Sequence, residues 1–127
     1  PEMVGIGPYL VHHDTPFKDL KNGNLNQTLF ILSIIRIMTK DVLLPATTAL
    51  ATLDSNGRIE GIKHGCNVIM PNLSPQEVRE KYLLYDNKAI TGQEASEGLK
   101  ELIETLRYNG YEVVYQRGDY CKFDYKG

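Results

Sequence analysis

Three short apolar runs recur along the chain, each bounded by turn-forming residues and each neighboured by a segment of helical periodicity. The first is Met3-Val4-Gly5-Ile6-Gly7-Pro8-Tyr9-Leu10, which ends in the polar turn Val11-His12-His13-Asp14-Thr15-Pro16. The second is Leu43-Leu44-Pro45-Ala46-Thr47-Thr48-Ala49-Leu50, and the third is Asn67-Val68-Ile69-Met70-Pro71-Asn72. Continuous apolar runs of this length read as strands of a parallel sheet covered on both faces. Their alternation with helices at the spacing of βα units predicts an α/β fold with the three C-terminal strand ends pointing the same way. Gly5 and Gly7 have no Cβ, so a ligand or another backbone can approach closely, and a strand floor beneath a bound molecule is expected.

The helices have their own signals. Asn24 or Asn26 is placed to cap a helix whose apolar positions Leu25, Leu29, Leu32 and Ile35, with Ile31 and Met38 to the side, form one wide face, with Gln27, Ser33, Arg36 and Lys40 on the wetter side. Pro45 lacks a donor N–H and is expected near the start of its strand, with Thr47 and Thr48 toward the other end and only one of the two hydroxyls facing inward. Asp54-Ser55-Asn56-Gly57 predicts a turn, and Arg58 to His64 a short helix stopped at Gly65. Ser74-Pro75-Gln76-Glu77 is a capping box with proline at the first helical position; it opens a helix carrying Val78, Tyr82 and Tyr85 on one face. Thr91-Gly92-Gln93-Glu94 opens another, with Leu99, Leu102, Ile103 and Leu106 repeating at helical spacing. Gly110 is expected to end it before a short strand or extended arm, Tyr111 to Tyr115.

Composition narrows the function classes. The 127 residues are one domain's worth, and 14 basic against 16 acidic residues give a net charge of -2, which points neither to nucleic acid nor to an anionic membrane surface. The longest apolar stretch, Leu29 to Met38, is interrupted by Ser33 and Arg36 and is far short of a membrane span. No signal-peptide layout is visible, and two widely separated cysteines, Cys66 and Cys121, suit a reduced, cytoplasmic setting. The sequence opens on proline, so the beginning of a longer chain is expected to precede it.

Candidate chemistry is sparse. His12, His13 and Asp14 are consecutive, but neighbours on an extended segment diverge, so a turn histidine bonded to backbone is expected and no metal site is assigned. His64 reads as a helix C-terminal residue, and Lys63-His64-Gly65-Cys66 makes no justifiable nucleophile pair. Met3, Met70, Tyr82 and Tyr85 read as core or core-edge residues that could also pack against a ligand.

Gly5 to Pro16, Leu44 to Leu50 and Asn67 to Asn72 resemble, in order and spacing, motifs of the radical S-adenosylmethionine maturases of FeFe-hydrogenase, relatives of biotin synthase. With Tyr82-Leu83-Leu84-Tyr85 and Gly110 to Val114 the resemblance covers nearly the whole chain. It implies the C-terminal half of a (β/α)8 barrel over residues 1–127: about three βα units plus a C-terminal helix and short strand, including the biotin- and thiamin-synthesis-associated region. It further implies that the intact enzyme binds S-adenosylmethionine and a four-iron cluster, generates a 5'-deoxyadenosyl radical and acts on a small organometallic precursor. Met3, Pro8, Leu10, Met70, Tyr82 and Tyr85 would line the cofactor cavity. Thr47 and Thr48 would offer hydroxyls to a small polar or anionic ligand.

The departure from the family is large. Its Cys-x3-Cys-x2-Cys motif needs three thiolates, and this chain has two cysteines in total, so it is expected to hold neither cluster nor cofactor alone and to be inactive by itself. Strands cut from a closed barrel expose edges, so either the N-terminal half-barrel or a second copy is the expected partner. Two alternatives remain open: a fragment of a sulfur-inserting enzyme similar to biotin synthase, and a non-catalytic half-barrel that binds a ligand or partner.

Overall fold

The computed structural model describes residues 1–71, 75, 95–115 and 118–120. Within them the order is helix α1 (Leu25–Met38), α2 (Thr48–Leu53), α3 (Gly57–Lys63) and α4 (Ala95–Tyr108). The three apolar runs lie side by side. Met3 pairs with Leu43 and Pro45 pairs with Val68, both in parallel, so the second run sits between the other two. This is the adjacency expected of consecutive βα units, and the coarse α/β reading holds.

The pairing is much shorter than three full strands, and the middle segment shows why. Residues of a strand alternate in the neighbour to which their N–H and C=O groups point. Leu43 donates to Glu2 O and accepts from Val4 N, so its polar groups face the first segment. Those of Leu44 and Ala46 face the third: Leu44 O accepts from Asn67 N and Ala46 N donates to Val68 O. Pro45 faces the first segment again, where it has no N–H to give, and the ladder stops. Pro45 therefore lies inside the paired region, opposite Val68, and not at the start of the strand.

The second run also ends earlier than its composition suggests. Thr47 is extended, at φ -72° and ψ 158°, and α2 begins at Thr48, so Thr48 to Leu50 belong to a helix and not to a strand. The β-branched Thr-Thr pair conceals a helix start: Thr47 is the N-cap, and Leu50 N bonds back to its carbonyl.

One side of the segments is closed. Leu29 and Leu32 of α1 pack with Val42, Leu44, Ala46, Leu50 and Cys66, and Val4, Ile6, Ile62 and Ile69 join from the edges. Leu32, Leu44 and Leu50 are fully buried. Asn24 provides the cap of α1, its Oδ1 accepting from Gln27 N at 3.1 Å, which settles the choice between Asn24 and Asn26. The wide apolar face expected for α1 is narrower in fact: Ile31 is 47% and Met38 76% exposed. Thr28 takes a buried place instead, its hydroxyl donating to Asn24 O at 3.0 Å.

Helices α3 and α4 end alike. Cys66 N reaches back to Gly61 O and Gly65 N to Ile62 O, while Tyr111 N reaches Leu106 O and Gly110 N reaches Arg107 O. Both are Schellman closures, and both place glycine at positive φ, 101° for Gly65 and 84° for Gly110. Beyond α4, Tyr111 to Tyr115 have no regular secondary structure and pair with no strand among the described residues. The helix expected from Ser74, and the capping box at Thr91, lie outside the described residues.

Leu50 joins the segments to α2 and α3, so Leu50→Ala is expected to lower stability in urea unfolding by about 2–5 kcal/mol. Ile37→Ala, at a site 75% exposed, should change it by no more than about 0.5 kcal/mol.

Candidate functional site

The two paired positions fix which residues share a face. Met3 and Leu43 point to one side, as do Pro45 and Val68, and the period of two extends that side to Gly5, Gly7, Thr47 and Met70. The opposite side, with Val4, Ile6, Leu44, Ala46 and Ile69, is the one packed in the core. Met3 and Met70, on the two outer segments, are 48% and 58% exposed, while Pro45 between them on the same side is fully buried.

Thr47 stands at the end of this face. A Cβ built on Gly7 would come within 2.9 Å of Thr47 Oγ1, so the two residues are neighbours across adjacent segments. The Thr47 hydroxyl is buried and has no hydrogen-bond partner. An unpaired buried hydroxyl costs about 1–3 kcal/mol. Thr48 is different: its Oγ1 accepts from Arg58 Nη2 at 3.2 Å, tying the start of α2 to the first turn of α3. With an acceptor lone pair so used, its own proton is left to donate.

The remaining expected residues are dispersed. Pro8 is buried and packs beside Gly23, whose N–H donates to Tyr9 O at 2.7 Å; Leu10 is half-buried. Tyr82 and Tyr85 lie outside the described residues. Arg58 was not singled out by the sequence; a basic residue one position into a short helix carries no signal until the fold brings it to Thr48.

The histidine turn differs from the expectation of diverging side chains. His12 and His13 stack, with ring centroids 4.5 Å apart and planes inclined by 17°, because the chain turns here instead of running extended. His12 Nδ1 accepts from Asp14 N at 3.0 Å, the backbone role expected of a turn histidine, and His13 Nε2 lies 3.4 Å from Asp14 Oδ2. Ligand atoms of His12, His13 and Asp14 fall within 4.8 Å of one another. Nearly parallel rings aim their in-plane lone pairs side by side, not at a common point, so a shared ion would require the stack to reorganise.

His64 caps α3 as expected, its Nδ1 2.7 Å from Glu60 O, where only a protonated nitrogen can bond to a carbonyl. Arg36 is half-buried and not on the wet side: Nε donates to Gly65 O at 2.7 Å and Nη1 to Lys40 O at 2.7 Å. Burial pushes the Cys66 thiol up from 9.0 to about 11, with the Arg36 charge a smaller opposing influence. Such a thiol is a poor nucleophile at neutral pH.

These features, parallel neighbouring segments with a half-open face bordered by a bare glycine and an unpartnered hydroxyl, are those of an α/β protein that could present a ligand wall at the ends of its strands. Over 87 residues the chain is 44% identical to the [FeFe] hydrogenase maturase subunit HydE of Thermotoga maritima, a match covering 68% of this chain and 25% of the maturase. It is also 25% identical over 116 residues to the 3-methylornithine synthase of Methanosarcina barkeri, and 28% identical over 117 residues to that of Methanosarcina acetivorans; each match covers 91% of this chain and 32% of the synthase. No family model matches. The resemblance to the FeFe-hydrogenase maturases is borne out, and the chain spans about a quarter to a third of the length of these relatives. No helix among the described residues is long and apolar enough to cross a membrane.

Because burial raises the folded-state pKa of Cys66, the neutral thiol is the form the fold favours. Its contribution to stability is complete below pH 9 and is lost as the pH rises through about 11. Urea unfolding between pH 8 and 11 should show this loss in the wild type and not in Cys66→Ala. Arg36→Met, which leaves the Gly65 and Lys40 carbonyls without their charged donor, should cost about 1.5–3 kcal/mol in the same assay at pH 7.

Proposed function

We propose that this chain is the C-terminal part of a radical S-adenosylmethionine enzyme that matures the FeFe-hydrogenase active site, and that it supplies cavity wall and not the cluster. The observation that carries the reading is the 44% identity with the maturase, on a chain whose Met3, Thr47 and Met70 share the face turned away from α1. In this reading the chain is half of a (β/α)8 barrel, and the face turned away from α1 is the barrel interior.

The residues present do not fit the cluster. Two cysteines cannot supply three thiolates, and the described one, Cys66, is buried with its thiol held protonated. No step is assigned through the cluster in this chain. Its residues bind and orient: Met3 and Met70 offer polarizable contact to an apolar or sulfur-bearing surface. Thr47 donates its hydroxyl proton to an acceptor atom, and Thr48 keeps a donor proton because Arg58 occupies its lone pair. By the family resemblance Pro8, Leu10, Tyr82 and Tyr85 would add to this wall, Pro8 from its buried place beside Gly23, and the partner that closes the barrel is the N-terminal half or a second copy.

A second reading, formation of 3-methylornithine, is favoured by matches to the two synthases that span more of the chain, at lower identity. The biotin-synthase-like alternative and the non-catalytic half-barrel rank below both.

The test is a chimera: the matching portion of the Thermotoga maturase is replaced by this chain's 87 aligned residues, and hydrogenase activation is measured. Activation is expected to survive, and Thr47→Val in the chimera should lower it by about tenfold or more. A folded chimera that yields 3-methylornithine and no active hydrogenase would move the assignment to the second reading. Light scattering of the isolated chain should give the mass of a dimer, and a monomer would leave the N-terminal half as the sole partner.

A further inference from the structure

We propose that the outer face of α1 is a self-pairing surface, on which a second copy of this chain docks its own α1 antiparallel about a two-fold axis through Ile34. The pairing lies on the side of α1 remote from the three segments, so it goes beyond the reading of their other face as a cavity wall and stands or falls apart from it.

The helix itself sets this face. Leu29 and Leu32 turn into the core, and at about 100° per residue Phe30, Ile34, Ile37 and Met38 fall roughly opposite them, with Ile31 at the margin. All five are exposed, from 38% at Ile34 to 76% at Met38. A helix that covers a sheet ordinarily turns charged and polar residues outward. Here Arg36 is the one charged residue from Asn22 to Thr39, and its guanidinium is engaged with the carbonyls of Gly65, Thr39 and Lys40. The outward stripe is therefore apolar and uncharged.

Two features select a second copy as the occupant. The first is symmetry: Ile31 and Ile37 stand three residues to either side of Ile34, and Phe30 and Met38 four. A two-fold interface must complement itself, with residue i on j and j on i. Antiparallel packing about Ile34 meets that condition, because it sets Ile34 against itself, Ile31 against Ile37 and Phe30 against Met38 across the axis. The second is area. The five exposed fractions amount to roughly three whole large side chains, on the order of 500 Å² per copy. A pair then buries on the order of 1,000 Å², the lower bound for a specific interface. Other occupants fit less well. A helix that lies on a lipid surface carries Lys and Arg on its polar face, whereas the far side of α1 is in the core and the chain has a net charge of -2. A charged partner would find no charge on the stripe to recognise.

Light scattering of the whole chain is expected to give wild type twice the mass of Ile34→Glu, whose carboxylates would meet in an apolar seam, while Ile34→Leu keeps the wild-type mass. Urea unfolding of the dilute variant checks that it is folded. The geometry is tested by oxidation in a Cys121→Ser background, where Cys66 is buried and does not compete. Ile34→Cys should form a disulfide-linked pair, and so should a mixture of Phe30→Cys with Met38→Cys chains. Phe30→Cys alone should not, because two copies of residue 30 lie about 12 Å apart along the helices, beyond disulfide reach. Equal masses for wild type and a folded Ile34→Glu would overturn the pairing, and association would then run through the barrel edges with the cavity reading untouched. If Ile34→Glu is unfolded, the cysteines decide: the absence of an Ile34→Cys pair, or a Phe30→Cys chain that links as readily, overturns the two-fold arrangement.

Discussion

The fold depends on the backbone of one short segment. Leu43 to Ala46 divides its polar groups between two neighbours, Leu43 toward the first segment, Leu44 and Ala46 toward the third. Its side chains divide as well: Val42, Leu44 and Ala46 enter the core beneath α1, while Leu43 and Pro45 turn to the other side with Thr47. A segment committed in four directions has little freedom left, and α2 starts immediately after it. The position of the Thr47 hydroxyl follows from this constraint, since the extended Thr47 is the last residue before the helix.

The turns around that segment are built to let backbones approach. A Cβ at Gly57 would lie 2.1 Å from Leu50 O, so only a glycine allows the start of α3 to sit against α2. That closeness brings Arg58, the next residue, within bonding range of Thr48. Arg36 does comparable work on the other side, joining the end of α1 to the Gly65 turn from which the third segment leaves. Arg36 braces by donating to three carbonyls, one of them 29 residues away, and Arg58 by its bond to Thr48 between consecutive helices.

The βα alternation was legible in the sequence because buried parallel segments need uninterrupted apolar runs, and the cap at Asn24 and the stops at Gly65 and Gly110 were legible because backbone geometry restricts residue choice there. The start of α2 was hidden because Thr47 and Thr48 are as much at home in a strand as at a helix start. The exposure of Ile31 and Met38 was hidden because periodicity counts apolar residues and does not say how much neighbouring surface is present to cover them. At the site, the sharing of one face by Met3, Thr47 and Met70 follows from the period of two once the register is known. The engagement of Thr48 by Arg58, and the histidine stack, depend on chain turns that no spacing rule encodes.

Pro45 has a meaning beyond its own position. Any other residue there would bring a donor N–H aimed at the first segment, where Val4 O is the next acceptor in the ladder. The seam between the first and second segments would then zip one rung further toward Gly7 and Thr47. Proline withholds that rung at the end where the bare glycine and the lone hydroxyl face each other, so the two segments meet there through Gly7 and Thr47 and not through a backbone bond, a difference set by one missing proton.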